Sequence, residues 1–216
     1  MPTEHPSRRL NLLLRMALLC LALLWITGCT SPMALEAAKG KLAADHKPIG
    51  IFKLRTENVY KPDYLPQVFQ VIVISDSTKK STTFKPSWPY KTVRGSYLEY
   101  LISIEAEPGT YHIESIAGQG VGNFFVGTFS FPINATFELT NGITYLGQIK
   151  MVNRERKEGE PHSGGVLPII DQAVTGYFNS TFDVTLGDAW EADGVDFLQA
   201  YPFLKEVSIS KSIMRK

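Results

Sequence analysis

Cys29 is the side chain best set up for chemistry. It follows Ile26, Thr27 and Gly28, an aliphatic residue and then two small ones. Small residues let an extended backbone enter a narrow peptidase site, and a cysteine sulfur is a nucleophile for alkylation. The histidines beyond it, His46, His112 and His162, have no second histidine or cysteine two to four residues on, where metal sites usually place their ligands. Asp183, Asp188, Glu191, Asp193 and Asp196 form the densest run of carboxylates, but their spacing is not that of a calcium loop. Gly118, Gly120 and Gly122 look superficially like a phosphate loop. Such a loop needs a helix N-terminus behind it, and Asn123-Phe124-Phe125-Val126 is strand-like instead. No nucleophile elbow and no Walker loop is present. No catalytic residue, metal or cofactor is expected. Trp88, Tyr90 and Phe124 are the candidate contacts for a partner, the alternative being that they plug the ends of a β-structure.

The setting of Cys29 gives it a role. Arg8, Arg9 and Arg15 precede an apolar run from Met16 to Ile26, which is long enough for an export signal and short of the ~20 residues that span a bilayer. Ile26-Thr27-Gly28-Cys29 resembles the lipobox of bacterial lipoproteins. The resemblance implies cleavage before Cys29 and transfer of a diacylglycerol to its sulfur, with palmitate among the acyl chains, so that residues 1–28 are a signal peptide. A multiply acylated end anchors stably, at about 0.8 kcal/mol per buried CH₂. Thr30, where an aspartate would favour retention in the inner membrane, implies an outer-membrane, periplasmic or surface setting. Residues 29–47, rich in Ala, Lys and Ser, are expected to be a flexible tether.

Composition agrees with a folded module that has no nucleic-acid partner. Net charge is +1, and the first 28 residues carry three arginines and one glutamate, leaving the remainder near −1. That provides no basic field for nucleic acid. Cys20 lies within the signal, so no intramolecular disulfide is expected, and stability must come from an apolar core.

The elements that would position these residues are mostly strands. Val68–Ser75 is a continuous β-branched run, expected at the centre of a sheet. Tyr97–Glu105 alternates, with Leu98, Tyr100, Ile102 and Ile104 on one face and Glu99, Ser103 and Glu105 on the other. Further strands are expected at 49–56, 110–117, 123–132, 135–140, 143–153, 179–186 and 207–213. Residues 118–122 should form a turn, and Asn141-Gly142 a type I′ hairpin. Phe125, Phe129 and Phe131 should share a buried side. Arg154–Gly165 is expected to be a long mobile loop. Asp188 and Glu191 have the spacing of a capping box for a helix ending at Pro202, with Gly194 weakening it. The expected fold is mainly β, an antiparallel β-sandwich spanning 48–216 with one short C-terminal helix.

Pro108-Gly109-Thr110-Tyr111, a Phe-rich strand, Gly142-Ile143-Thr144-Tyr145-Leu146-Gly147 and the acidic helix ending in Tyr201-Pro202 together resemble uncharacterised proteobacterial lipoproteins with a prealbumin-like or carboxypeptidase-regulatory-like β-sandwich. The resemblance covers residues 98–205 and brings no catalytic residue with it. The expected function is a membrane-anchored, non-catalytic module of the cell envelope, with a protein or a cell-wall polymer as partner. Two alternatives stay open: a hydrolase using His112 or His162, and a carrier of a small apolar ligand along the Phe125–Phe131 face.

Overall fold

The structure is a computed structural model that describes residues 30–38, 40–43, 45–93, 96–121, 125–165 and 172–216. Cys29, Phe124 and the signal segment lie outside the described residues. Two sheets face each other. The first has the order β1 (Thr30–Pro32), β4 (Ser81–Lys85), β3 (Gln67–Ser75), β7 (Gly109–Val121), β8 (Val126–Leu139). The second runs β10 (Ser180–Gly187), β9 (Ile143–Glu155), β2 (Ile49–Asn58), β6 (Tyr97–Glu105), β5 (Lys91–Val93), with β11 (Ile209–Lys211) also on β9. The chain is a mainly β sandwich with a short C-terminal helix, as expected. Most strand pairings are antiparallel, as expected, and three, β1–β4, β2–β9 and β11–β9, are parallel.

The parallel pairs follow from how the chain crosses. It passes between sheets after β1, β2, β4, β6 and β8. Asn141-Gly142 therefore turns the chain from one sheet to the other and makes no hairpin. Gly142 has positive φ and Asn141 does not, so the type I′ geometry is absent. Pro108-Gly109 makes the equivalent crossing from β6 to β7.

Between the sheets lies a core that includes Phe52, Leu54, Tyr100, Ile102, Ile113, Ile116, Phe129, Phe137, Ile149 and Met151. A second cluster covers the opposite face of the second sheet. There Leu35, Ile49, Ile51, Leu101, Ile143 and Tyr145 meet Phe197 of α3 (Trp190–Ala200) and Leu204 of the following 3₁₀ turn. The second sheet is thus covered on both faces. This explains why Glu99 and Ser103, expected to face solvent, are buried. It is also why β6 and the first half of β9 show continuous burial rather than alternation.

The open sides of the sandwich are closed by straps at the two ends of the described chain. The N-terminal strap was expected to be a free tether. Instead Thr30–Pro32 pairs with β4, Met33 enters the main core at 0 % exposure, and Leu35 of α1 (Ala34–Ala37) packs on the second sheet. The Leu35 N–H donates to Ser103 Oγ at 3.0 Å. On the opposite side Met214 enters the same core, while the Arg215 backbone exchanges two hydrogen bonds with Thr136, joining the edges of the two sheets. Methionine suits these plugs because its unbranched, polarizable chain fills irregular gaps.

Other local expectations are corrected by tertiary contacts. Residues 118–121 continue β7 instead of turning. A side chain at Gly118 would strike the Phe129 ring, and one at Gly120 would strike Tyr177. The expected strands 123–132 and 135–140 are one strand, β8, bent at Asn134 with φ of 53°. β8 is the edge of its sheet, which tolerates Pro132. Phe129 and Phe131 are buried as expected, whereas Phe125 at the strand mouth is 43 % exposed. The Arg154–Gly165 loop is pinned: Arg154 grips Glu160 through two bonds of 2.8 and 2.7 Å and Asp183 through a third, and Ser163 is buried.

Removing either plug should leave a hole that the neighbouring strands cannot close. Met33→Ala and Met214→Ala should each cost about 2–5 kcal/mol. The two losses should add, because the plugs lie on opposite sides of the sandwich. Urea unfolding of the singles and the double checks this, and a double variant no worse than one single would refute two independent closures.

Candidate functional site

Trp88 and Tyr90 sit in the Pro-rich connection from β4 to β5, which crosses between the sheets at the same edge as the N-terminal strap. Pro86 and Pro89 stiffen the connection. Ser87 Oγ donates to Glu36 Oε2 at 2.5 Å, which ties it to α1. The Trp88 indole is 85 % exposed, an uncommon state for so large an apolar ring. It borders a cleft of about 360 Å³ whose walls include Phe69, Gln67, Gln119, Ser87 and Thr92 and whose floor includes Leu98 and Tyr100. Tyr90 is exposed at 37 % but does not line that cleft. Trp88, a candidate from the sequence, is thus an exposed ring beside a cleft. Gln67 and Gln119 escaped the sequence pattern, because only the β3–β7 register places them opposite one another.

The floor of this cleft is well held. β3 is irregular between Val68 and Gln70, and the Val68 N–H there donates to the Tyr100 hydroxyl at 3.0 Å, linking the two sheets. Burial pushes the Tyr100 phenol up to about 12, so it stays a neutral hydrogen-bonding group at any physiological pH.

A second constellation lies buried between the second sheet and α3. Lys53 of β2 reaches Asp196 Oδ2 at 2.5 Å, Asp193 Oδ1 at 3.5 Å and Glu99 Oε2 at 3.6 Å. Asp193 is fully buried; it accepts from the Tyr145 hydroxyl at 2.7 Å and from Gln148 Nε2 at 3.1 Å. Tyr145 in turn accepts from the Ala189 N–H at the helix start. Burial works to lower the Lys53 pKa, but the hydrogen bond to Asp196 and the charges of Glu99, Asp196 and Asp193 outweigh it and hold the ammonium above its ordinary value. Asp193 is raised, because burial outweighs its hydrogen bonds and the Lys53 charge. Each group here is engaged by another protein group and none faces a cleft, so the arrangement clamps α3 to the sheet. Asp193 and Asp196, two acids of the dense carboxylate run, thus bind groups of the sheet. Asp188 accepts from the Trp190 N–H at 3.0 Å, and Glu191 closes no capping box. Gly194 makes room for the Trp190 ring, which lies against it.

His112 Nδ1 lies 2.7 Å from Asp76 Oδ1, the geometry of an imidazole oriented by a carboxylate. It stands on the outer face of the first sheet between Ile74 and Thr136, outside the clefts, with no hydroxyl hydrogen-bonded to it among the described residues. His162 bonds to the Phe178 carbonyl and stacks on the Phe178 ring, and His46 bonds to the Lys47 carbonyl. The geometry holds half of an acid–base relay and no nucleophile. On the Phe125–Phe131 face expected for an apolar ligand, Phe129 and Phe131 are packed by Phe182 and Tyr177, with ring centroids 5.1–5.5 Å apart.

The motif residues have structural work. Tyr111 stacks on Phe137 at the rim and donates to the Glu107 carbonyl, and Gly147, with φ of 104°, marks the irregularity where β9 shifts register against β2. Among the described residues no group of histidine, cysteine and acidic side chains could hold a metal, and no helix is long and apolar enough to cross a membrane. In comparisons with family models, curated proteins and solved structures, the chain matches none.

Lys53→Met should cost about 3–5 kcal/mol at neutral pH, because it strands buried carboxylates without a cation. Asp193→Asn should cost clearly less, since the buried carboxylate is already disfavoured in its charged form. The Lys53 contribution should be fully present below about pH 10.5, its unfolded value, and be lost as pH rises through the higher folded one. Alkaline unfolding of the parent against Lys53→Met reads this, and an unchanged alkaline limb would contradict the clamp.

Proposed function

We propose that the protein is a lipid-anchored, non-catalytic binding module of the bacterial cell envelope that engages a saccharide polymer through the Trp88 cleft. The observation that carries this reading is the bare indole of Trp88 over a cleft edged by the side-chain amides of Gln67 and Gln119. A flat aromatic face suits the apolar C–H face of a sugar ring, and amides and hydroxyls donate to and accept from its hydroxyl groups. The cleft is open and shallow, which fits a segment of an extended chain better than an enclosed small molecule. The anchor follows from the lipobox-like Ile26–Cys29 and the signal before it, and the outer membrane from Thr30. A binding role is favoured over hydrolysis because, among the described residues, His112 is hydrogen-bonded to the Asp76 carboxylate and to no hydroxyl. The likeness to lipoprotein sandwiches belongs to the same proposal.

Co-sedimentation of the full-length acylated protein with purified cell-wall sacculi tests it. Binding should saturate, and Trp88→Ala should weaken it about tenfold or more, as truncation of a central aromatic contact does. Gln119→Ala should weaken it by less. Sacculi that fail to retain the parent protein, or that retain Trp88→Ala equally well, would sink the saccharide reading. A protein captured instead by crosslinking at Trp88 would replace it.

A further inference from the structure

We propose that the folded domain stands end-on directly upon a lipid surface, with no free spacer, so that the Trp88 cleft is held at its far end at a fixed height above the bilayer. This rests on acylation of Cys29 and goes beyond it, because acylation alone leaves orientation and height open.

Thr30 is already part of a sheet. It pairs with Thr83 of β4, followed by Ser31 with Phe84 and Pro32 with Lys85. Met33 and Leu35 then fix the strap in two different apolar clusters, and the Leu35 N–H and Glu36 carboxylate bind Ser103 and Ser87. Cys29 precedes Thr30 by one peptide, about 3.8 Å between Cα atoms. A free coil of 18 residues, the length from Thr30 to Lys47, would instead give a slack of roughly 25 Å. The docked strap removes that slack.

The register says which end faces the lipid. Thr83 pairs with Ile72 and Ser81 with Ile74, so Thr30 lies close to the β3–β4 turn, where Ser77, Thr78, Lys79 and Lys80 are all exposed. The β6–β7 crossing lies at this same end, since Asp76 N–H bonds to the Thr110 carbonyl and Ala106 N–H to that of Pro48. A cleft of about 440 Å³ opens here, with Val73, Phe84 and Ile104 among its apolar walls and Lys80, Glu105 and the Lys47–Glu107 ion pair, 2.7 Å across, among its charged ones. These apolar walls, with the exposed Lys79 and Lys80 of the adjoining turn, suit the interfacial region of a bilayer, where acyl chains meet phosphates. The Trp88 cleft is built from the other ends of the same strands: Gln67 begins β3, Gln119 nearly ends β7, and Leu98 nearly begins β6. β3 has nine residues, and at ~3.3 Å each that places the cleft about 25–30 Å from the anchored end.

The test uses the full-length acylated protein in vesicles of phosphatidylethanolamine and phosphatidylglycerol that carry a headgroup nitroxide quencher. A fluorophore is placed on Ser77→Cys at the anchored end or on Asp63→Cys at the far end. Both positions are exposed, and with Cys29 lipidated and residues 1–28, Cys20 among them, removed by cleavage, no competing thiol is left. The Ser77 label should lose most of its emission and the Asp63 label almost none. Inserting a flexible Gly-Ser segment between Cys29 and Thr30 leaves the strap intact and should abolish that difference. Equal quenching of both labels in the parent, with Cys29 shown by mass spectrometry to be acylated, would overturn the end-on placement alone. An unmodified Cys29 and no vesicle binding would overturn the anchor as well.

Discussion

Lys53 sits on a strand with no solvent side. β2 lies between β9 and β6 in a sheet with the core on one face and α3 with the N-terminal strap on the other. Its ammonium must leave water, and the cost is met only because Glu99, Asp193 and Asp196 converge on it from the neighbouring strand and the helix. Tyr145 and Gln148 then satisfy Asp193. The position of α3 and the burial of Glu99 both follow from covering this one face.

Covering that face also decides what the chain ends do. A two-sheet sandwich has open sides, and both are closed here by strap segments that carry a methionine into the core. The N-terminal strap serves a second purpose, because it runs beside the Pro86–Tyr90 connection and binds it through Glu36 and Ser87. The N-terminal strap and the loop that carries the exposed tryptophan are therefore mechanically coupled. A binding surface on a loop is only as well placed as the contacts beneath it. Here those are the Ser87 bond and the Tyr100 hydroxyl that secures Val68.

The same accounting explains why the titratable residues that drew attention by type are quiet. His112 has a carboxylate but an open sheet face, His162 has a backbone carbonyl and a ring, and the acidic run feeds Lys53 and a helix start. What is left unengaged is apolar: the Trp88 ring, with Phe69 and the glutamines near it. That exposed aromatic beside polar groups is the surface on which the proposed binding role rests.

Local chemistry alone determined the strand-rich character, the odd-numbered buried face of β8 around Phe129 and Phe131, the C-terminal helix stopped by Pro202, and Trp88 as a loop aromatic. These depend on neighbours in sequence: alternation, β-branching, and the backbone limits of proline. Tertiary structure decided whatever depends on which surface lies opposite. Glu99 and Ser103 look solvent-facing until a helix and a strap cover them, and Gly118 and Gly120 look like a turn until Phe129 and Tyr177 need the space. Thr30–Ala38 has the composition of a tether, yet two apolar residues and one edge strand are enough to dock it. A period of two reports that two faces differ, but not that a third layer will bury the polar one.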